Sequence, residues 1–141
     1  MDAASGGGTQ EQGTLRAFHQ LYASSSYLGE GQFLSLSNLL MLTPGFTVSP
    51  APHLKVSMEY GHARRQQEDD NVYAGGMRVY QGTENVQGVR IGNLLRVHTN
   101  WALTENIKLI LNYENLSRGE VLRRARLPSG SYVQVGVTYR Y

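Results

Sequence analysis

Period-two alternation is the feature that most constrains this chain. HLKVSMEYGH sets Leu54, Val56, Met58 and Tyr60 against Lys55, Ser57 and Glu59. VRIGNLLRVHTNW sets Val89, Ile91, Leu95, Val97 and Trp101 against Arg90, Gly92, Arg96, His98 and Asn100. IKLILNYEN sets Ile107, Leu109, Leu111 and Tyr113 against Lys108, Ile110, Asn112 and Glu114. The closing SYVQVGVTYRY gathers Val133, Val135, Val137, Tyr139 and Tyr141 on one side. Successive side chains of a strand point to opposite faces, so each run reads as a strand with one apolar and one polar face. The 89–101 and 107–114 runs, joined by a short ALTEN turn, read as a hairpin. No helix of useful length emerges and no repeat of twenty to fifty residues recurs. Nine tyrosines and sixteen glycines suit strands and turns.

The spaces between the runs carry a second signal. Residues 102–106 and 43–52 are short connections, whereas 65–88 and 115–130 are long and polar. Outer-membrane barrels have short periplasmic turns and long external loops, and their strands hide from a hydropathy average because lipid-facing and lumen-facing residues alternate. The pattern therefore predicts an all-β fold, an antiparallel up-and-down meander of a transmembrane β-barrel. Five long strands are expected. Since single-chain barrels start at about eight, the sequence reads as an incomplete barrel, the C-terminal part of a larger one.

Residues 1–30 read as a flexible N-terminal segment and external loop, and 31–141 as the barrel strands. MDAASGGGTQEQGT has no basic stretch leading into an apolar one, so it does not read as a signal peptide. Gln32 to Leu42 is a strand candidate. TPGFTVSPAP follows as a turn, because its three prolines are expected to stop any regular ladder. VYAGGMRVYQ contains a short strand, and EVLRRARL has the makings of one helical turn.

Chemistry-bearing motifs are sparse. Cysteine is absent, which excludes disulfides, thiol catalysis and Cys-ligated metals. His19, His53, His62 and His98 are scattered, with no HExxH pair. Glu68, Asp69 and Asp70 form an acidic run without EF-hand spacing. No nucleophile elbow, Walker loop or dinucleotide fingerprint is present. The basic residues are spread over alternate strand faces, with no nucleic-acid module among them. The expectation is a non-enzyme with no cofactor, no metal and no nucleic-acid partner.

The last eight residues, QVGVTYRY, resemble the terminal signal of outer-membrane barrels, which implies that Gln134, Gly136, Tyr139 and Tyr141 are read by the barrel-assembly machinery. Nearly the whole chain also resembles the alginate-export family of outer-membrane barrels. The resemblance is carried by GTLRAFHQLY, by SNLLMLTPGFTVSPAPHLKVSMEY, by the spacing of Arg65, Asp70 and Tyr73, and by RIGNLL, NYENLSRGEV and VTYRY. Ala63 and Arg64 stand where the family often has an aromatic before the loop arginine. The resemblance implies a bacterial outer-membrane location and an arginine-rich conduit for a polyanionic chain.

If the apolar faces meet lipid, the alternate residues line a lumen. Lys55, Arg90, Arg96, His98, Lys108 and Arg140 are then the substrate-path candidates, with Glu59 and Glu114 as acidic counterweights. The cations of the whole chain are eleven Arg and two Lys. Rings of Arg or Lys favour anions, and guanidinium forks bind carboxylates in pairs of hydrogen bonds. The expected activity is passive passage of an acidic polysaccharide or smaller anions. For any single residue the plainer expectation is a cross-strand ion pair that holds the wall together. Arg65 and Asp70 are expected to brace an external loop as a pair with Tyr73 packed nearby, an architectural role first and a gating one second. Arg118, Arg123, Arg124 and Arg126 form a solvated basic external loop, with gathering of anionic substrate or binding of lipopolysaccharide phosphates as the functional alternatives. The remaining alternatives are a soluble antiparallel sandwich or lipocalin-like ligand binder, in which the Leu109/Leu111/Tyr113 face would pack into a core, and a small subunit that closes by oligomerising.

Overall fold

The computed structural model describes residues 2–4 and 28–141. Most of the expected flexible segment at 1–30 therefore lies outside the described residues. The strands are β1 (Asp2–Ala4), β2 (Leu39–Leu42), β3 (Gly45–Ala51), β4 (Leu54–Arg64), β5 (Tyr73–Ala74), β6 (Arg78–Val79), β7 (Arg90–Ala102), β8 (Ile107–Arg118) and β9 (Gly130–Tyr139). One short helix, α1 (Glu120–Arg124), sits in the β8–β9 connection. The main sheet is antiparallel, in the order β1-β2-β4-β7-β8-β9 with β3 also beside β4. It does not close. This is an all-β meander with almost no helix, consistent with an incomplete barrel.

The proline-rich stretch is a strand rather than a turn. Strand β2 pairs with the later half of β4, from Leu40 opposite Arg64 to Leu42 opposite His62. Strand β3 continues along the earlier half, from Gly45 opposite Glu59 to Ala51 opposite Leu54. Proline removes a donor but keeps its acceptor. The Pro44 carbonyl accepts from Tyr60 N at 2.9 Å and so carries the ladder across the gap between β2 and β3. Pro50 falls in the register irregularity between Val48 and Ala51, where no donor is needed. Conversely, the expected strand from Gln32 shortens to β2. Gln32 and Asn38 adopt positive φ, 53° and 50°, which breaks extended pairing.

The two faces differ in what covers them. The outer face carries Val56, Met58 and Tyr60 opposite Thr99, Val97 and Leu95. It continues through Leu109, Leu111 and Tyr113 opposite Val137, Val135 and Val133. This face is open: Leu111 is 38% exposed and Val135 61%. A soluble sandwich would have buried it.

The inner face holds the core, and only at the end with the long loops. Leu39, Met41, Ala63, Leu94 and Leu116 from the strands pack with Leu28 and Leu34, with Val72 of the 65–89 loop, and with Val121 and Leu122 of α1. A bulge between Ala63 and Arg64 brings Ile91 into this cluster. Ile91 was expected on the outer, lipid-facing side. The extra residue shifts the alternation there, which sends Ile91 inward and Arg90 outward.

Candidate functional site

Lys55, Glu59, Arg96, His98, Lys108 and Glu114 share the inner face by register. Lys55 stands opposite Asn100, Ser57 opposite His98, and Glu59 opposite Arg96. Arg96 then faces Glu114, His98 faces Asn112, and Ala102 faces Lys108. These pairings build horizontal rows across the wall.

The upper row is a charge relay of fixed partners. Arg96 Nη2 meets Glu59 Oε2 at 2.8 Å. Glu114 is buried at the next strand and accepts from the backbone N–H groups of Glu30 (2.6 Å) and Gly31 (3.1 Å). Two backbone donors hold this carboxylate in place without a side-chain cation. The chain can approach this closely because Gly29 has φ +126°, and a Cβ there would lie 2.5 Å from Glu114 Oε2. A cleft of about 170 Å3 opens between Gly29, Glu59, Arg96, His98 and Glu114.

One level nearer the short turns lies a polar belt. Asn100 Nδ2 donates to His98 Nε2 at 2.6 Å, and His98 Nδ1 donates to Asn112 Oδ1. Asn112 Nδ2 donates in turn to Gln134 Oε1 at 2.7 Å. Thr47 and Ser57 hydroxyls share a 2.8 Å hydrogen bond in the same row. Through Asn112, His98 ties β7 to β8. Lower still, Lys55 and Lys108 have no carboxylate partner among the described residues. Arg140 follows β9, its N–H donating to Asn106 O at 2.8 Å.

Arg90 departs from the inward expectation. With the Asn93 amide oriented by its neighbours, Nδ2 donates to His62 Nδ1 at 2.8 Å, and Oδ1 accepts from Tyr60 Oη at 3.0 Å and Arg90 Nη2 at 3.2 Å. Tyr60 and His62 belong to the outer face, so Arg90 does too.

The 65–89 loop is organised by a buried guanidinium. Arg65, 2% exposed, donates Nε to Gly88 O (2.6 Å), Nη1 to Asp70 O (3.2 Å) and Thr83 O (2.6 Å), and Nη2 to Val86 O. Burial lowers its pKa, opposed by the nearby Glu68, Asp69 and Asp70. The expected association of Arg65 with Asp70 thus runs through the Asp70 carbonyl. The Asp70 carboxylate accepts instead from Asn71 N (2.7 Å) and Tyr73 Oη (2.9 Å). Asn38, fully buried, pins the loop to β2: its Oδ1 accepts from Gln66 and Gln67 N–H, and its Nδ2 donates to Gln67 and Asn71 carbonyls. Sequence reasoning gave Asn38 no role. An asparagine just before an apolar run, where left-handed backbone is tolerated, was the available signal. The Glu114 latch was also missed, with Gly29 and Gly31 flanking Glu30 as its one trace.

Burial and the Asp70 hydrogen bond raise the Tyr73 pKa to about 12, from an ordinary value near 10. A raised tyrosine pKa contributes stability that is complete below pH ~10 and disappears as pH climbs through ~12. Alkaline titration followed by hydrogen exchange of the loop amides should show the 65–89 loop loosening across that window. Tyr73→Phe should abolish the pH dependence there. An identical transition in that variant would assign the loosening elsewhere.

Among the described residues no group of three or more His, Cys, Asp or Glu is placed to hold a metal ion. No described helix is long and apolar enough to cross a membrane, which leaves crossing by strands open. What the sheet offers is a wall, apolar outside and hydrogen-bonded inside, and the comparison with protein families agrees: the family model described as alginate export matches residues 1–135. The chain belongs to the alginate-export family. This is a family of outer-membrane channel proteins, so its members act in transport. Neither the comparison with curated proteins nor that with solved structures returned a match.

Proposed function

We propose that this chain forms part of the wall of an outer-membrane export channel that passes an acidic polysaccharide such as alginate, or smaller anions, passively. The observation that carries the reading is the division of inner-face charge. Among the described residues the two inner-face acids are occupied, Glu59 by Arg96 and Glu114 by two backbone N–H groups, while Lys55 and Lys108 have no carboxylate partner. They lie two strands apart, roughly 10 Å at ~4.8 Å per strand. Free ammonium groups at that spacing attract uronate carboxylates without locking them, and release is as necessary to conduction as entry. In the same reading Arg96 holds its row in register and contributes less to attraction. Gln134, Gly136, Tyr139 and Tyr141 serve recognition by the barrel-assembly machinery. The exposed Leu111, Val133, Val135 and Val137 speak against the soluble ligand-binding alternative.

Reversal potentials across a planar bilayer under a salt gradient test this. The channel as extracted from outer membranes is expected to prefer anions. Lys55→Glu with Lys108→Glu is expected to lower the anion-to-cation permeability ratio by roughly threefold or more. Cation preference in the unmodified channel would overturn the proposal.

A further inference from the structure

The loop end of the outer face carries a cluster that neither the wall nor the conduit uses. Arg64 and Arg90 stand directly opposite each other across the β4–β7 ladder, and both are exposed. Like charges so placed repel, and among the described residues no carboxylate forms a salt bridge with either. The neighbouring outer positions are Leu40 and Leu42 on β2, and Asn93, Asn115 and Ser117 on β7 and β8. None is acidic. Arg90, Asn93, His62 and Tyr60 are already joined by the Asn93 amide. Tyr60 and His62 also meet edge to face, with ring centroids 5.3 Å apart. Because His62 Nδ1 accepts from Asn93, its Nε2 carries the proton and is available as a donor. The result is a prearranged set of guanidinium and imidazole donors on the wall itself.

Depth identifies the partner. Strand β4 spans 11 residues from Leu54 to Arg64. At ~3.3 Å per residue that is roughly 33 Å along the strand, or roughly 25 Å of height at a tilt near 40°. An outer-membrane barrel has an apolar band of about that height. With Leu54 and its partner Trp101 at the opposite interface, the two arginines emerge where outer-leaflet head groups begin. We infer that Arg64, Arg90 and His62 form a binding site for the phosphate of a phosphorylated glycolipid head group in the outer leaflet. The site rests on the outer-membrane reading above, but not on the identity of the transported anion.

The test uses protein extracted from outer membranes, in detergent micelles doped with bisphosphorylated lipid A, with bound lipid measured by native mass spectrometry. Arg64→Gln with Arg90→Gln is expected to reduce lipid A retention at least tenfold. Arg123→Gln with Arg124→Gln removes the same charge from the loop helix and is expected to change retention less than twofold. Dephosphorylated lipid A should bind weakly to all forms, and inorganic phosphate should compete only at concentrations far above those of lipid A. Unchanged retention in the Arg64/Arg90 variant, equal loss in the loop control, or equal binding of dephosphorylated lipid A would each overturn the site. So would displacement by inorganic phosphate at matching concentration. The single variants Arg64→Gln and Arg90→Gln, expected to lose retention partially, keep the test decisive if the double variant fails to fold. Reversal potentials recorded on the same preparations separate the two readings. The conduit proposal fails in selectivity, and this one fails in lipid retention.

Discussion

Arg65→Ala is expected to release the 65–89 loop from the wall while leaving the strands in place. The guanidinium serves four backbone carbonyls at once, those of Gly88, Asp70, Thr83 and Val86. Truncation strands these acceptors in a buried setting, and a hydrogen bond to a charged group is worth about 1.5–3 kcal/mol. Such bonds do not add fully within one network, so the expected local cost is about 4 kcal/mol, a value reached only by losing a buried network or its equivalent. Hydrogen exchange should show Val72 and Tyr80 amides losing protection, together with new protease cleavage between residues 66 and 88. Protection along the β7–β8 ladder should persist, since its pairing from Gly92 to Ala102 is independent of the loop. Arg65→Lys should restore less than half of the loss, because an ammonium presents a point charge where the site needs a planar fork. A loop that stays protected in Arg65→Ala would mean that Asn38 and the Val72 packing hold it unaided.

The second large effect concerns the outer face. Val135 stands opposite Leu111 near the middle of the β8–β9 pairing. Arginine at a lipid-facing midplane position costs about 2–4 kcal/mol. On a water-exposed surface the same change stays within about 0.5 kcal/mol. Val135→Arg is therefore expected to lower folding stability in lipid vesicles by the larger amount. Gln134→Arg, one residue away on the inner face, is expected to cost only about 1 kcal/mol, the worth of the lost hydrogen bond from Asn112. Equal effects at the two positions would deny that the faces differ in solvent. A negligible effect at Val135 would mean that water, rather than lipid, covers the outer face.

The alternating runs were legible because one rule governs them: side chains in β4, β7, β8 and β9 change faces at every step. Where that rule is locally broken, the sequence misleads. The bulge at Ala63/Arg64 adds one residue to the β7 side, so Ile91 and Arg90 exchange the faces that strict alternation assigns. Pro44 and Pro50 look like terminators, yet the ladder needs an acceptor at the first and nothing at the second. The inner charges were legible as a set but not as partners. That Glu59 meets Arg96 depends on register. That Glu114 meets Glu30 and Gly31 depends on a chain segment more than eighty residues away. Arg65, Asp70 and Tyr73 were recognisable together, but the hydrogen bonds of Arg65 run to carbonyls that have no signature in sequence.

The placement of the paired and unpaired groups gives the inner wall an electrical polarity along its own axis. Toward the long loops Glu59 pairs with Arg96 and Glu114 is held by two backbone N–H groups; toward the short turns Lys55 and Lys108 have no carboxylate partner among the described residues. The screening length in physiological salt is about 8 Å, shorter than the rise of a strand, so the two ends do not average into one field. The stretch nearer the long loops carries one guanidinium against two carboxylates and the stretch nearer the short turns two ammonium groups, so the wall changes sign along its axis. The formal charge of +2 describes neither stretch. A surface built in this way resembles a rectifying junction more than a uniformly charged tube, and its sense of direction comes from which carboxylates the fold has already occupied.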